Sequence, residues 1–294
     1  MIRSWFSALQ DHLKTEYNLE ASNFLSPENS KRVFNCDETG FALQGTSGKM
    51  SKILASKGCK NVHIVNTDSH EQITVLIGTN AAGEFLKPLV IFPGLRTPNF
   101  YFNEVDTDQY DVAHSEKGWI TTPLFFEWLA NLFYPAVKDK VEFPIILFLD
   151  GHKSHVNLAV SEFCKDKDII LYCLPPHSSH VLQPLDVGVF GPMKKLWDDL
   201  VRRFTAKHHF PMTKKQFFTV FDQLWSQIKS KKYPVGGFKK SGLLPFNPEA
   251  VDYLSVSNNR RTEILPNEPF LNTERRIGAA HAFILFESVL TEQQ

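Results

Sequence analysis

The sequence has no excess of charge, no long apolar run and no paired-cysteine motif, and each absence excludes a class of protein. Its 32 Lys and Arg residues balance 32 Asp and Glu residues, so bulk charge gives no sign of a nucleic-acid partner. No apolar stretch approaches the roughly 18 residues that a membrane-spanning helix needs. The N-terminus lacks the apolar region of a signal peptide. These features predict a soluble intracellular protein.

The four cysteines are Cys36, Cys59, Cys164 and Cys173, and no two of them have the spacing of a zinc finger or a redox motif. Three of them lie in or beside apolar segments. Buried free thiols are therefore expected rather than a disulfide framework.

Hydrophobic residues make up 43% of the chain and 25 residues are Phe, which is ample for an aromatic-rich core. The periodicity predicts an α/β fold in which a mixed sheet has helices on both faces. Residues 73–78 and 89–92 flank a Gly-containing turn and are typical of a β-hairpin. Further strands are expected over 32–37, 144–149 and 169–174. Helices are expected over 3–17, 122–135, 156–165 and 186–208. Residues 93–118 are expected to form a loop.

Three aspartates stand where predicted elements end or begin. Asp37 closes the first strand, Asp150 closes the strand over 144–149, and Asp186 begins the last helix. A carboxylate at the end of a buried strand is costly unless something pairs with it. If the three converge, their oxygens can bind a hard divalent cation, as in two-metal phosphoryl transfer.

Five segments, taken in order, resemble the DDE-superfamily transposases of the pogo/Tigger/jerky group. The resemblance covers residues 30–250, and the 35 residues between Asp150 and Asp186 are close to the usual spacing in that group. The first, third and fourth segments contain the three aspartates. The segments are Val33–Phe41, Thr79–Glu84, Leu149–His155, Leu174–Phe190 and Lys240–Pro248.

The resemblance implies a ribonuclease-H-like mixed sheet flanked by helices, with a helical C-terminal extension. It implies that Asp37, Asp150 and Asp186 are both the catalytic residues and the metal ligands. The cofactor would be Mg²⁺ or Mn²⁺, with two ions per active site on the order of 4 Å apart. The expected activity is that of an endonuclease and strand-transfer core acting on DNA in the nucleus, with a homodimer as a further expectation and no membrane partner.

The predicted domains are an N-terminal helix and linker (1–30), the catalytic core (31–210), a basic helical extension (211–254) and a C-terminal tail (255–294). Members of the group usually carry an N-terminal helix-turn-helix region. Only about 30 residues precede the first segment, so we expect weak, salt-sensitive DNA binding without sequence preference.

Charge is unevenly distributed between Lys194 and Lys240, where twelve basic residues face only three acids. The same stretch contains Trp197, Phe217 and Trp225. Such a run is usually a solvated helix face, but here it directly follows Asp186. We therefore expect it to track DNA phosphates, with contacts from Lys194, Lys195, Arg202 and Arg203.

Other patterns leave alternatives open. Glu38 should face away from Asp37 and is expected to support the site. His152 and His155 suggest a zinc pair, although contact with the acidic site or the substrate fits better because zinc partners are lacking. A triad of Ser154, His155 and Asp150 lacks a nucleophile elbow, and residues 45–51 only approximate a phosphate loop.

Two other functions remain open. A domesticated, non-catalytic DNA-binding or chromatin-associated protein could keep the acidic triad without using it. A ribonuclease-H-like nuclease acting on RNA hybrids is a more distant possibility.

Overall fold

The computed structural model describes residues 1–44, 71–96, 108–151, 155 and 157–253. Six strands in this part of the chain form one sheet. They are β1 (Val33–Ala42), β2 (Gln72–Asn80), β3 (Leu89–Pro93), β4 (Asp111–Ser115), β5 (Ile145–Leu149) and β6 (Ile169–Cys173).

The strand order is β4-β3-β2-β1-β5-β6, so the long strand β1 lies near the middle of the sheet. It pairs antiparallel with β2 and parallel with β5. β2 and β3 form the predicted hairpin, and β4 and β6 add parallel strands at the two edges.

Helices cover both faces of this sheet. Two of them contain or adjoin a π-helical turn, at Leu129–Phe133 and at Asp186–Phe190. Short 3₁₀ turns lie at Pro27–Arg32, Lys214–Gln216 and Pro248–Ala250. The α-helices described are α1 (Ile2–Tyr17), α2 (Ala21–Phe24), α3 (Thr122–Trp128), α4 (Tyr134–Val137), α5 (Leu158–Asp166), α6 (Ser179–Leu182), α7 (Gly191–His208), α8 (Phe217–Ile228) and α9 (Lys232–Lys240).

Alternation along β1 divides the core between the two faces, because successive side chains of a strand point in opposite directions. Phe34 and Cys36 pack with α3, α4 and α5. Val33 and Phe41 lie on the other face, where Val33 packs with α1 and α2 and Phe41 with α7 and α8. Burial of both faces explains why β3 and β5 are almost continuously apolar.

The N-terminal helix packs directly against the sheet. Leu9 and Leu13 of α1 are fully buried in a cluster that includes Phe148 of β5 and Phe238 of α9. The indole Nε1 of Trp5 donates a hydrogen bond to the carbonyl oxygen of Cys173 at 2.9 Å. The amphipathic helix predicted for this segment is therefore confirmed.

Most predicted elements are confirmed. The predicted first strand ends at Asp37, whereas β1 continues to Ala42, so Asp37 lies inside the strand. Residues 97–107 of the loop expected over 93–118 lie outside the described residues, and the expectation is wrong at Asp111–Ser115, which forms β4. This edge strand has few apolar residues and is only partly buried, so its pattern resembles that of a loop. The predicted helix over 186–208 begins as a π-helical turn rather than as an α-helix.

Cys36 and Cys164 are buried free thiols, as predicted, and Cys173 is a partly buried one. Cys59 and the phosphate-loop-like residues 45–51 lie outside the described residues. Within the described ranges, no helix combines the length and the apolar character needed to cross a membrane.

Candidate active site

The pairing of β1 with β5 places Asp37 beside Asp150. Asn35 and Phe148 are partners in the parallel register, and each aspartate lies two residues further along its strand direction. Asp37 lies on the same face of β1 as Asn35. Asp150 follows the last residue of β5, and neighbouring strands lie about 4.8 Å apart. Both aspartates are partly buried.

Asp186 reaches this face through the segment that precedes it. The backbone N–H of Leu185 donates to Oδ1 of Asn35 at 3.1 Å. The side-chain amide of Gln183 donates to the carbonyl oxygen of Cys36 at 3.1 Å. The segment is thereby bound to β1 within two residues of Asp37, and Asp186 follows at the exposed start of the π-helical turn.

The electrostatics of Asp37 reflect this convergence. Burial raises the pKa of Asp37 well above its usual range, and the charge of Asp186 makes the next largest contribution. Glu38 and Asp150 raise the pKa further, whereas a hydrogen bond with the Gln183 side chain opposes the shift. Clustered carboxylates repel one another in this way when no cation lies between them.

The pKa of Asp186 is raised by partial loss of hydration and by the charge of Asp150, while Lys194 and His180 act in the opposite direction. Because Asp186 is exposed, solvent screens these effects. The same effects are screened less at Asp37, which is partly buried.

His155 connects Asp150 to Glu38. Its ring is 2% exposed, with Nδ1 2.7 Å from Oδ1 of Asp150 and Nε2 3.0 Å from Oε1 of Glu38. Burial by itself would lower the pKa of His155, but the two carboxylates outweigh it and raise the pKa to about 10. Phe125 packs against the ring, with 4.6 Å between the ring centroids.

These contacts decide between the uses suggested for His155. Both ring nitrogens are engaged by carboxylates, so neither offers a lone pair for zinc. In the triad with Ser154 and Asp150, Nε2 would contact Ser154, but it contacts Glu38 instead. Ser154 and His152 lie outside the described residues. Glu38 does turn away from Asp37, as expected, and holds His155.

The donor chemistry of the site fits a hard divalent cation, since carboxylate oxygens are the ligands that Mg²⁺ and Mn²⁺ prefer. The pKa of Asp37, raised first by burial and then by the charges of Asp186, Glu38 and Asp150, also indicates negative charge that a cation would neutralise. In the conformation described, however, no three His, Cys, Asp or Glu side chains of the described residues are arranged to hold one ion together. Binding would therefore require the carboxylates to move closer.

The candidate DNA-contacting residues lie on α7, directly after the π-helical turn. Lys194, Lys195, Arg202 and Arg203 are all exposed, and Arg202 pairs with Asp199 one turn earlier.

The aromatic residues of the same stretch belong to the core. Trp197, Phe217 and Trp225 are buried, and the Trp197 indole donates to the carbonyl oxygen of Ala42 at 2.8 Å. They therefore cannot stack on nucleic-acid bases.

Sequence reasoning missed Asn35 and Gln183, which are fully buried within this site. The only available signal was their position, two residues before Asp37 and three before Asp186. Asn35 lies inside a predicted strand and Gln183 in a predicted turn, and neither position shows that the two side chains meet.

The family model described as "DDE superfamily endonuclease" matches residues 70–232, more than half of the chain. The chain belongs to the DDE superfamily. The matched span contains Asp150 and Asp186, whereas Asp37 precedes it. The prediction that this chain is a DDE-superfamily transposase domain is confirmed.

Curated relatives include "Tigger transposable element-derived protein 4" of Mus musculus, 24% identical over 239 residues, which are 74% of this chain and 41% of that protein. "MFS-type transporter clz9" of Cochliobolus lunatus is 31% identical over 222 residues, 74% of this chain and 24% of that protein. The chain thus spans less than half the length of these relatives.

Among solved structures, this chain resembles the Mos1 mariner paired-end complex with Mn, with a TM-score of 0.56 and 13% sequence identity. The similarity covers 87% of this chain and 62% of the Mos1 chain. The Mos1 strand transfer complex gives a TM-score of 0.54 at 14% identity, over 84% of this chain and 59% of that chain. The predicted ribonuclease-H-like fold is thereby confirmed.

Proposed function

We propose that the chain is the endonuclease and strand-transfer core of a DDE transposase-derived protein that acts on DNA by two-metal phosphodiester chemistry. The observation that supports this most directly is that the segments carrying Asp37, Asp150 and Asp186 meet near Asp37, whose pKa is raised first by burial and then by the charges of Asp186, Glu38 and Asp150. Negative charge concentrated around a partly buried carboxylate is costly for a structural site but useful for binding cations.

Asp37 and Asp150 would share one ion, and Asp186 would complete the site for a second. When bound, two Mg²⁺ or Mn²⁺ ions lower the pKa of the attacking water or 3′-hydroxyl and stabilise the leaving oxygen. The protein's part is to hold the carboxylates in position. His155 orients the Asp150 carboxylate through its 2.7 Å contact, and Glu38 holds the other side of the ring.

The DNA would pass along α7, where Lys194, Lys195, Arg202 and Arg203 could contact phosphates. Lys194 is close enough to Asp186 for its charge to lower the pKa of that carboxyl group. A phosphate contact there would lead the backbone towards the acidic site. The Mos1 structures include a paired-end complex with a transposon end and a strand transfer complex, which supports a DNA partner here.

The same proposal includes the division of the chain into domains that the sequence predicts. Residues 31–210 would form the catalytic core, 1–30 an N-terminal helix and linker, 211–254 a basic extension and 255–294 a tail. We further propose that the protein works in the nucleus and that a homodimer brings two DNA ends together.

A nicking assay tests the proposal. The protein should convert supercoiled DNA to the nicked form with Mg²⁺ or Mn²⁺, and not with Ca²⁺ or EDTA. Asp186→Asn should slow this reaction by several orders of magnitude. Because Asp186 is exposed, the substitution should leave the fold intact. Asp222→Asn, which removes an equally exposed carboxylate on α8, should retain full activity.

One observation favours a second candidate, a non-catalytic DNA-binding or chromatin-associated protein. The described acidic side chains are not arranged to hold a metal ion together. Such a protein would bind DNA equally well with Mg²⁺ or EDTA, and any nicking would be the same in wild type and Asp186→Asn.

A further inference from the structure

We infer that Asn35 and Gln183 form an amide clamp that positions Asp186 against Asp37 and Asp150. This inference rests on the proposed function, since it assigns the two amides to the geometry of the metal site. Neither residue touches substrate or metal in this account, so both are positioning residues.

The clamp joins all three segments that carry the aspartates. The Asn35 Nδ2 group donates to the carbonyl oxygen of Phe148 at 2.9 Å and to Oε1 of Gln183 at 3.2 Å. Phe148 lies two residues before Asp150, and Asn35 lies two residues before Asp37. One side chain therefore connects β1, β5 and the segment that leads to Asp186.

The remaining polar atoms of the clamp are also paired. Oδ1 of Asn35 accepts the backbone N–H of Leu185 at 3.1 Å. Gln183 donates to the carbonyl oxygen of Cys36 at 3.1 Å, and its side chain opposes the rise in the pKa of the neighbouring Asp37 carboxyl group. Both side chains are 0% exposed, so water cannot replace these hydrogen bonds.

This arrangement requires amides in particular. Each clamp residue donates and accepts at once, which a carboxylate or an aliphatic side chain of the same size cannot do. A carboxylate would also add a negative charge beside three others. The contacts of the two amides with the carbonyl oxygens of Phe148 and Cys36 reach the backbone next to the other two aspartates.

Mn²⁺ binding tests the inference without relying on activity, with free Mn²⁺ measured by electron paramagnetic resonance during a titration. Substitution of residues that orient metal ligands typically weakens metal binding by about 10–100-fold. We expect Gln183→Met, which keeps the length of the side chain, to raise the dissociation constant at least tenfold. Asn35→Ser, which removes both donated bonds, should do the same and provides a second measurement if Gln183→Met does not fold.

Asn80→Ser is the matched control. Asn80 is a buried amide in the hairpin, where it donates to Oε2 of Glu84 and accepts the Glu84 N–H, both at 2.9 Å. Its loss should lower the melting temperature but leave Mn²⁺ affinity within about twofold of wild type.

The outcomes separate the two claims. Wild-type Mn²⁺ affinity in both clamp variants would overturn the clamp, as would a loss no greater than that of Asn80→Ser at an equal drop in melting temperature. Failure of the wild type itself to bind Mn²⁺ would instead contradict the proposed function.

Discussion

Asp37 lies where burial and neighbouring negative charges both oppose ionisation. Its pKa is raised well above the ordinary value of 3.8, first by burial and then by Asp186, Glu38 and Asp150. Each unit by which a folded-state pKa exceeds the unfolded value costs about 1.4 kcal/mol of stability once the pH exceeds both pKa values. The metal-free protein is therefore less stable at neutral pH than its packing alone would make it.

Asp37→Asn should relieve this cost. Below about pH 4 the carboxyl group is protonated in both the folded and the unfolded state, so wild type and variant should be similarly stable. As the pH rises, the unfolded carboxyl ionises while the folded one resists, and only the wild type loses stability. Asn can still accept the Glu38 N–H that Asp37 accepts at 2.9 Å.

Thermal unfolding in EDTA at pH 4 and at pH 7.5 measures this difference. We expect Asp37→Asn to melt higher than wild type at pH 7.5, with a gap that narrows at pH 4. Asp222→Asn on the exposed face of α8 should show no such gap. A variant that is less stable than wild type at pH 7.5 would mean that Asp37 is not destabilised by its neighbours.

At the scale of elements, the π-helical turn that begins with Asp186 packs very closely against α9. A Cβ on Gly188 would lie 2.6 Å from the carbonyl oxygen of Tyr233, and a Cβ on Gly237 would overlap the carbonyl oxygen of Pro184. Two glycines, one on each element, thus allow the backbones to meet. The contact with α9 therefore holds the segment that leads to Asp186 on one side, and Asn35 and Gln183 hold it through hydrogen bonds with β1.

Neighbouring glycines of α9 provide a matched pair of variants. Gly237→Ala should destabilise the protein by about 1–3 kcal/mol, because the added methyl group meets backbone that must shift. A Cβ on Gly236 has nothing within 4 Å, so Gly236→Ala should stabilise the helix by about 0.5–1 kcal/mol. Urea denaturation measures both, and equal effects of the two substitutions would refute the close packing.

The strands and helices that sequence could predict are those with strong apolar periodicity, such as β2, β5 and α1. The short edge strand β4 escaped prediction because its stability comes from pairing with β3 and not from its own pattern. The π-helical turn at Asp186 also depends on distant contacts, with Asn35 and α9. Hydrophobic patterns report burial, but they do not report which distant backbone a segment meets.

The same distinction applies to the site. Asp150 and Asp186 could be located because Asp150 follows β5 and Asp186 begins the π-helical turn. Asp37 was located through the resemblance of its segment to a known family, because it lies inside β1 and does not close it. The link from Asp150 through His155 to Glu38 could not be predicted from the sequence, because His155 and Glu38 are 117 positions apart. Glu38 was expected only to support the site. Its contact with His155 depends on the three-dimensional packing of the segments around β1 and β5.

For the whole molecule, a net charge of zero conceals a basic run along α7, where Lys194, Lys195, Arg202 and Arg203 are exposed. Each phosphate contact on duplex DNA contributes about 0.9 to the slope of log affinity against log salt concentration. Replacing all four residues with Ala should therefore flatten this slope by roughly 3–4. Arg202 already pairs with Asp199, so its share should be the smallest.

Fluorescence anisotropy across a salt series measures the slope. A control variant replaces Lys138, Lys140 and Lys165, which are exposed beside or on the helices of the opposite face. Its slope should stay close to that of wild type. An unchanged slope in the α7 variant would assign the four residues to a solvated helix face.

The central claim is that Asp37, Asp150 and Asp186 bind divalent metal together, and an anomalous difference map from a crystal soaked in Mn²⁺ tests it most directly. The account predicts one peak ligated by Asp37 and Asp150 and a second beside Asp186, about 4 Å apart. Peaks confined to other carboxylates, or none at a saturating Mn²⁺ concentration, would contradict it.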